Sequence, residues 1–438
     1  MQDLENNQKQ SNMQKVALTA LAGTSIEWYD FFLYGAAAAL IFPTAFFGEM
    51  PPTTALLLSL LTFAAGFIAR PIGGIIFGHF GDKVGRKKTL ISALMLMGIS
   101  STLIGLLPTY AMIGVAAPIL LTSLRFAQGL AIGGQWGGAM LLVTESAPSN
   151  QRGYYGAFAQ AGAPIGVILA NLALIITSAL VSEEFFNTWG WRIPFLASAV
   201  LILISMYIQL NLEDTDAFKA LVNNKGIQSD ENIKKSPVIE AIKKYPKRIF
   251  LAAGAFLSVQ VTFYILIAFM LAYGVTSANM ARDDMLAAVL IASAIMVPIQ
   301  FVFSSYSDRH GRKGIFMLGA VLTGIWAFAI FPLVDTGNFY LIVLAITGGL
   351  VFLAMMYGPQ AAFFTELFST EVRYSGATLG YQFGAIVGGA FAPTIAVKLW
   401  TEFDIICVSA YIALASLLTL ISVMALTETY QSDLNNTD

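Results

Sequence analysis

The chain has 438 residues, 57% of them hydrophobic and only 11% charged, with a net charge of −2. Soluble domains carry about 25% charged residues, so the 50 charged side chains here cannot clothe the roughly three domains that this length would form in water. A membrane-embedded protein is expected. Soluble enzymes, nucleic-acid binders and disulfide scaffolds are excluded, because Cys407 is the sole cysteine and the net charge exerts no pull toward nucleic acid. With His79 and His310 as the only histidines, no histidine metal cluster and no cofactor are expected.

The chain opens on a polar stretch, MQDLENNQKQSNMQK, with no small-residue cleavage site behind a short apolar core, so no removable signal peptide is expected. Twelve segments then satisfy the requirement of about 20 mostly apolar residues for a bilayer crossing. In order they are 17–46, 53–80, 88–108, 114–146, 153–180, 190–212, 247–275, 285–306, 313–333, 338–367, 374–398 and 404–427. A lysine-rich polar stretch separates the sixth from the seventh. The expected organisation is a six-helix bundle over 1–212, a cytoplasmic linker over 213–246 and a second six-helix bundle over 247–438. With the N-terminus inside, 19 of the 24 lysines and arginines fall on the cytoplasmic side, which places both termini there.

The two bundles repeat one another. Asp82-Lys-Val-Gly-Arg86 follows the second span and Asp308-Arg-His-Gly-Arg312 the eighth, 226 residues on. Glu145 closes the fourth span with Arg152 seven residues later, and Glu366 closes the tenth with Arg373 at the same spacing, 221 residues on. Two six-span halves around a central cavity describe a secondary transporter.

These motifs resemble the major facilitator superfamily. Gly78-His-Phe-Gly-Asp82-Lys83-Val-Gly85-Arg86-Lys87 is similar to its cytoplasmic loop signature, and Arg125-Phe-Ala-Gln128-Gly129 to its fourth-span signature. Within it, Glu27-Trp-Tyr-Asp30-Phe-Phe-Leu-Tyr34-Gly35 resembles the first-span hallmark of the metabolite:proton symporters, whose members carry shikimate, 2-oxoglutarate, citrate, proline and betaine. Segments 78–85, 133–139, 189–194 and 374–382 look most like the shikimate permeases. The resemblance implies an all-α membrane protein of twelve transmembrane helices in two six-helix pseudo-repeats, multi-pass in a bacterial-type cytoplasmic (inner) membrane. It also implies a monomer whose partners are lipid, protons and a small anionic substrate.

Charges inside spans are costly and mark function. Glu27 and Asp30 lie one helical turn apart and share a face with Tyr34. A carboxylate in an apolar cavity can take up and release a proton near neutral pH, which a proton-coupled carrier needs. Arg70 lies 12 residues from Asp82, or roughly 18 Å of helix rise, and Arg125 about 20 residues from the cytoplasmic end of its span, or roughly 30 Å. Guanidinium forks suit bidentate capture of a carboxylate or phosphonate, and the resemblance places Arg125 where coupling or substrate binding occurs. Proton coupling is therefore expected of Glu27, Asp30 and Arg125. Substrate contact is expected of Arg70, Arg125, Tyr34, Gln135, Trp136, Tyr264, Gln360, Tyr381 and Gln382. Gln135 stands where the shikimate permeases usually carry glutamate, so a titratable group is missing beside the expected cavity. The loop charges form a second constellation: Asp82, Arg86, Glu145 and Arg152 in one half, and Asp308, Arg312, Glu366 and Arg373 in the other, are expected to form a cytoplasmic gate. The expected function is proton-coupled transport of a shikimate-like or other carboxylate metabolite by alternating access. Proton-driven efflux of small anionic antibiotics, such as fosfomycin-type phosphonates, is the alternative that the same residues allow.

Overall fold

The computed structural model describes residues 2–84, 86–133, 140, 143–144, 147–213, 242–368 and 373–430, with the side chains of 2–12, 78–90, 208–213 and 373–375 outside that description. Twelve long helices carry the chain: α1 (Gln2–Leu40), α2 (Pro52–Val84), α3 (Arg86–Leu106), α4 (Ala116–Gly133), α5 (Arg152–Leu180) and α6 (Ile193–Glu213). In the second half α7 is Pro246–Tyr264 continued through a π-helical turn, Ile265–Phe269, into Met270–Thr276. It is followed by α8 (Arg282–His310), α9 (Arg312–Val334) and α10 (Phe339–Glu366). Then comes α11, which is Arg373–Ala385, a second π turn, Ile386–Ala390, and Ala392–Glu402; α12 (Ile405–Ala425) completes the set. Ten of these helices are long and apolar enough to cross a bilayer; α1, with its polar start, and α3, apolar over Ile91–Leu106, complete the twelve. Large apolar side chains such as Ile75, Ile119, Leu180, Val302 and Ile325 stand exposed, which in water would be untenable and in lipid is required.

Helix pairing makes the internal repeat physical. In the first half α1 packs on α5 and α6, α2 on α4, and α3 on α4 and α6. In the second, α7 packs on α11 and α12, α8 on α10, and α9 on α10 and α12, which is the same set shifted by six. The halves meet along α5 with α8 and α2 with α11, two seams that the same shift exchanges.

Glycine sets the closest approaches. A Cβ on Gly129 would lie 2.8 Å from the Ala69 Cβ and overlap the Gly66 carbonyl, and one on Gly133 would overlap the Arg70 carbonyl, so α2 and α4 touch backbone to backbone. On α11 a Cβ at Gly384 would lie 2.8 Å from the Ala253 carbonyl of α7 and one at Gly388 3.0 Å from that of Leu257, while one at Gly380 would lie 2.8 Å from the Ala252 Cβ. Gly129→Ala is expected to destabilise the protein by about 2 kcal/mol or more, because backbone cannot retreat as a side chain can. Gly314→Ala, with nothing within 4 Å of the added carbon, is the neutral comparison. Thermal unfolding of the two variants in detergent checks the pair, and equal midpoints would refute the close-packing argument.

Candidate functional site

The sequence puts charges into spans, and folding brings three of them to one place. Phe31, 1% exposed on α1, has an arginine against each of its surroundings: the Arg70 guanidinium carbon lies 4.4 Å from its ring centre and that of Arg125 4.0 Å. Arg70 also packs over Phe67 (4.5 Å) and Trp28 (5.3 Å), and Arg125 over Tyr34 (4.3 Å) and Phe63 (4.6 Å). Gly66 makes room for the second of these, since a Cβ there would lie 2.7 Å from the Arg125 Nε. Aromatic faces stabilise a desolvated cation by about 2 kcal/mol or more without neutralising it.

Neither arginine has a carboxylate partner within ion-pair distance among the described residues. Nε and Nη2 of each are buried without an acceptor. Arg125 Nη1 donates to Gln128 Oε1 at 3.1 Å, and Tyr264 lies in reach of Arg70. Asp30, 1% exposed, accepts from the Ser198 hydroxyl through Oδ1 and leaves Oδ2 without a partner. Two buried cations against one fully buried carboxylate give the centre an excess of positive charge. Glu27 is half-buried on the same helix and engaged in a contact of its own.

Beside this centre, between the halves, is a cavity bounded by Trp28, Phe32, Gln260, Tyr264, Tyr357 and Tyr381 among others. At about 10 Å³ it has room for one water at most and none for a metabolite. Both ends are shut. At the end carrying the loop motifs, Asp308 on α8 accepts from the backbone N–H groups of Gly153 (2.8 Å) and Tyr154 (2.7 Å) at the start of α5. Arg312 reaches Asp308 at 2.7 Å and Glu366 at 3.2 Å, and Arg152 approaches Glu366 at 3.8 Å. At the opposite end Ser178 donates to Asp283 (2.8 Å), Asn171 to the Leu286 carbonyl (3.2 Å) and Arg282 to Asn187 (3.3 Å), again across the α5–α8 seam or near it.

Several expectations meet these positions directly. Asp30, Arg70, Arg125 and Tyr34 converge; Tyr264 and Tyr381 line the cavity; Gln360 and Gln382 are buried with unpartnered Oε1 atoms but do not line it. The helix-rise argument set Arg125 about 12 Å further from its loop than Arg70. Sharing Phe31 puts them at one depth, because rises counted along two tilted helices from different loops have no common baseline. Arg152 reaches across to Glu366 of the other half and so joins the two sets of loop charges. Gln135, Trp136 and Glu145, and the side chains of Asp82, Arg86 and Arg373, lie outside the described residues.

Residues that sequence reasoning passed over also belong here. Phe31, Phe63 and Phe67 form the cation-bearing walls, and Gln128 hydrogen-bonds both Arg125 and Ser101 (2.7 Å). Gln128 was within reach, three residues after Arg125 and so on its face. Behind α12, Glu428 accepts from the Arg312 and Lys313 backbone N–H groups (both 3.0 Å), and Thr429 donates to Glu366 (2.8 Å). No pattern in the sequence marks that contact.

A twelve-helix membrane protein in two matched halves, sealed at both ends around a buried cationic centre, is a membrane transporter. The chain belongs to the Major Facilitator Superfamily, whose sequence profile matches residues 20–393. It is 40% identical over 432 residues to the inner membrane metabolite transport protein YhjE of Escherichia coli (strain K12), covering 97% of this chain and 96% of that protein. It is 37% identical over 394 residues to the shikimate transporter of the same strain, covering 90% and 89%. To the glycine betaine/proline/ectoine/pipecolic acid transporter OusA of Dickeya dadantii (strain 3937) it is 33% identical, covering 93% and 82%. In fold it is similar to a crystal structure of a D-xylose-proton symporter, with a TM-score of 0.74 at 16% identity over 96% of this chain and 99% of that one.

Proposed function

We propose that this transporter carries a small organic anion, a shikimate-like or other carboxylate metabolite, together with a proton, by alternating access across a bacterial cytoplasmic membrane, as a monomer with both termini inside. The observation that carries this reading is the pair of buried arginines around Phe31, with N–H donors that no group among the described residues accepts. Leaving such charges desolvated and unpaired costs several kcal/mol each by order of magnitude, roughly what a bound anion returns. In this reading Arg70, beside the cavity-lining Tyr264, takes the substrate carboxylate. Arg125 lies on the side of Asp30, which in this reading takes the proton. Protonation removes the one fully buried negative charge of the centre and leaves both guanidiniums to the substrate. The transporters of metabolites, shikimate and betaine among the relatives support transport of a small polar solute.

The test uses purified protein in proteoliposomes with a pH-sensitive dye inside. Shikimate, other hydroxylated or dicarboxylic acids and a phosphonate antibiotic are added outside one at a time. Acidification of the interior with one of the acids, lost in Asp30→Asn, is the expected result. Silence with every acid would reject the reading, and proton movement with the phosphonate alone would assign the protein to efflux.

A further inference from the structure

Asp30 and Arg125 form no ion pair, yet a line of buried polar groups runs between them within the first half. Arg125 is on α4, Gln128 one turn further along it, Ser101 on α3, Asp30 on α1 and Ser198 on α6; each is at most 2% exposed. A guanidinium only donates. It therefore fixes the Gln128 amide with Oε1 toward Arg125 (3.1 Å) and Nε2 toward Ser101 Oγ (2.7 Å). Having accepted from Gln128, the Ser101 hydroxyl has its own proton to place, and no described carbonyl takes it. Beside it is the Asp30 carboxylate, whose Oδ2 is the buried acceptor without a donor. The unplaced proton and the unfilled acceptor match. Ser198 holds the other oxygen and has a second acceptor in reach, the Pro194 carbonyl at 3.5 Å, should Asp30 cease to accept. The charged or titratable groups around this carboxylate are Arg125, and Tyr29 beside it, whose hydroxyl is committed to the Pro194 carbonyl at 2.8 Å.

We infer that Gln128 and Ser101 are positioning residues that form a one-way hydrogen-bond relay from Arg125 to Asp30, through which the protonation state of the carboxylate governs how firmly the guanidinium is held. With Asp30 ionised, every link donates toward it and Arg125 is pinned to the amide. With Asp30 protonated, the last acceptor becomes a donor, Ser101 no longer needs to point that way, and the amide is free to turn and release Arg125. The relay rests on the proposed proton coupling and adds to it a path, through two uncharged residues.

The experiment is pH-difference infrared spectroscopy of the purified protein in lipid, which needs no substrate. The carboxylic C=O band that vanishes in Asp30→Asn belongs to Asp30. Gln128→Leu is expected to shift that band although Gln128 does not touch the carboxylate, Ser101→Ala to shift it as well, and Ser101→Thr to leave it in place. Gln128→Met, close in shape and unable to bond, serves if the leucine variant does not elute as a single monodisperse species. A band unmoved by the Gln128 variants would overturn the relay while leaving Asp30 as the proton site. A spectrum with no band lost in Asp30→Asn would remove the coupling proposal itself.

Discussion

Under the proposed function, replacing Arg70 by lysine is expected to weaken binding of an acid substrate by about tenfold to a hundredfold, the worth of one charge-assisted hydrogen bond at about 1.5–3 kcal/mol. Charge is kept, but the planar fork that faces a carboxylate with two parallel N–H groups is lost, and an ammonium is held less well on aromatic rings. Arg70 is the arginine within reach of Tyr264 and of the cavity between the halves, whereas Arg125 is tied to Gln128. The split is therefore specific: Arg70→Lys raises KM for the acid that acidifies proteoliposomes, and Arg70→Ala abolishes its uptake. Phe31→Leu is the companion variant. It withdraws the ring that both guanidiniums share without touching either charge, and is expected to impair binding more than a leucine at Phe63, which meets Arg125 alone. Uptake kinetics across the set decide the matter. An Arg70→Lys protein with wild-type KM would take that residue out of the substrate site.

Arg312→Ala is expected to unseal the end of the molecule where the loop motifs lie. Arg312 is 1% exposed and holds Asp308 at 2.7 Å and Glu366 at 3.2 Å. Those two carboxylates are what the other half grips, through the Gly153 and Tyr154 backbone and through Arg152. Among the described residues, removing the central cation leaves Asp308 with only the Gly153 and Tyr154 N–H groups and Glu366 with only Arg152 and Thr429, a loss of about 3 kcal/mol, the lower end for breaking a buried pair. A bias of about 5.5 kcal/mol carries a two-state equilibrium from 1:99 to 99:1, so most of a closed population opens. With Cys407 first changed to serine, a cysteine at Ala157, buried against Gln300 of α8, reports the opening by its labelling with a water-soluble maleimide. Faster labelling in Arg312→Ala, and an intermediate rate in Glu366→Gln, are the expected results. Protection equal to the parent would show that packing alone keeps this end shut.

The sequence made the helices and the charged members of the centre legible for one reason: a lipid environment penalises every departure from apolar character, so Asp30, Arg70 and Arg125 stand out from their spans. The repeat of Asp308 and Arg312 after Asp82 and Arg86 foretold the pairing of helices that recurs with a shift of six. What stayed hidden has the opposite property. Ser101 and Ser198 are small and neutral, occur in membrane helices for many reasons, and acquire meaning only from neighbours on other helices. Phe31 is one phenylalanine among 32 until two arginines close on it. The reach of Arg152 to Glu366 depends on how one bundle is set against the other, which no periodicity within a bundle encodes. The π turns of α7 and α11 beside Tyr264 likewise leave no mark in composition.

The smallness of the central cavity bears on where the membrane voltage acts. In a protein with a wet vestibule the potential falls across whatever thin septum is left, and charges in the vestibule stand at the potential of one bath. Among the described residues the cavity between the halves has only about 10 Å³ and hydrogen bonds tie the halves at both ends, so no such vestibule opens at that cavity and the drop is spread along the length of the two bundles. Each elementary charge that crosses the full field exchanges about 2.3 kcal/mol per 100 mV. The sealed state is thus a dielectric slab in which Asp30, Arg125 and any cargo occupy intermediate electrical distances, and the current carried when either end opens reports how far along that slab each of them lies.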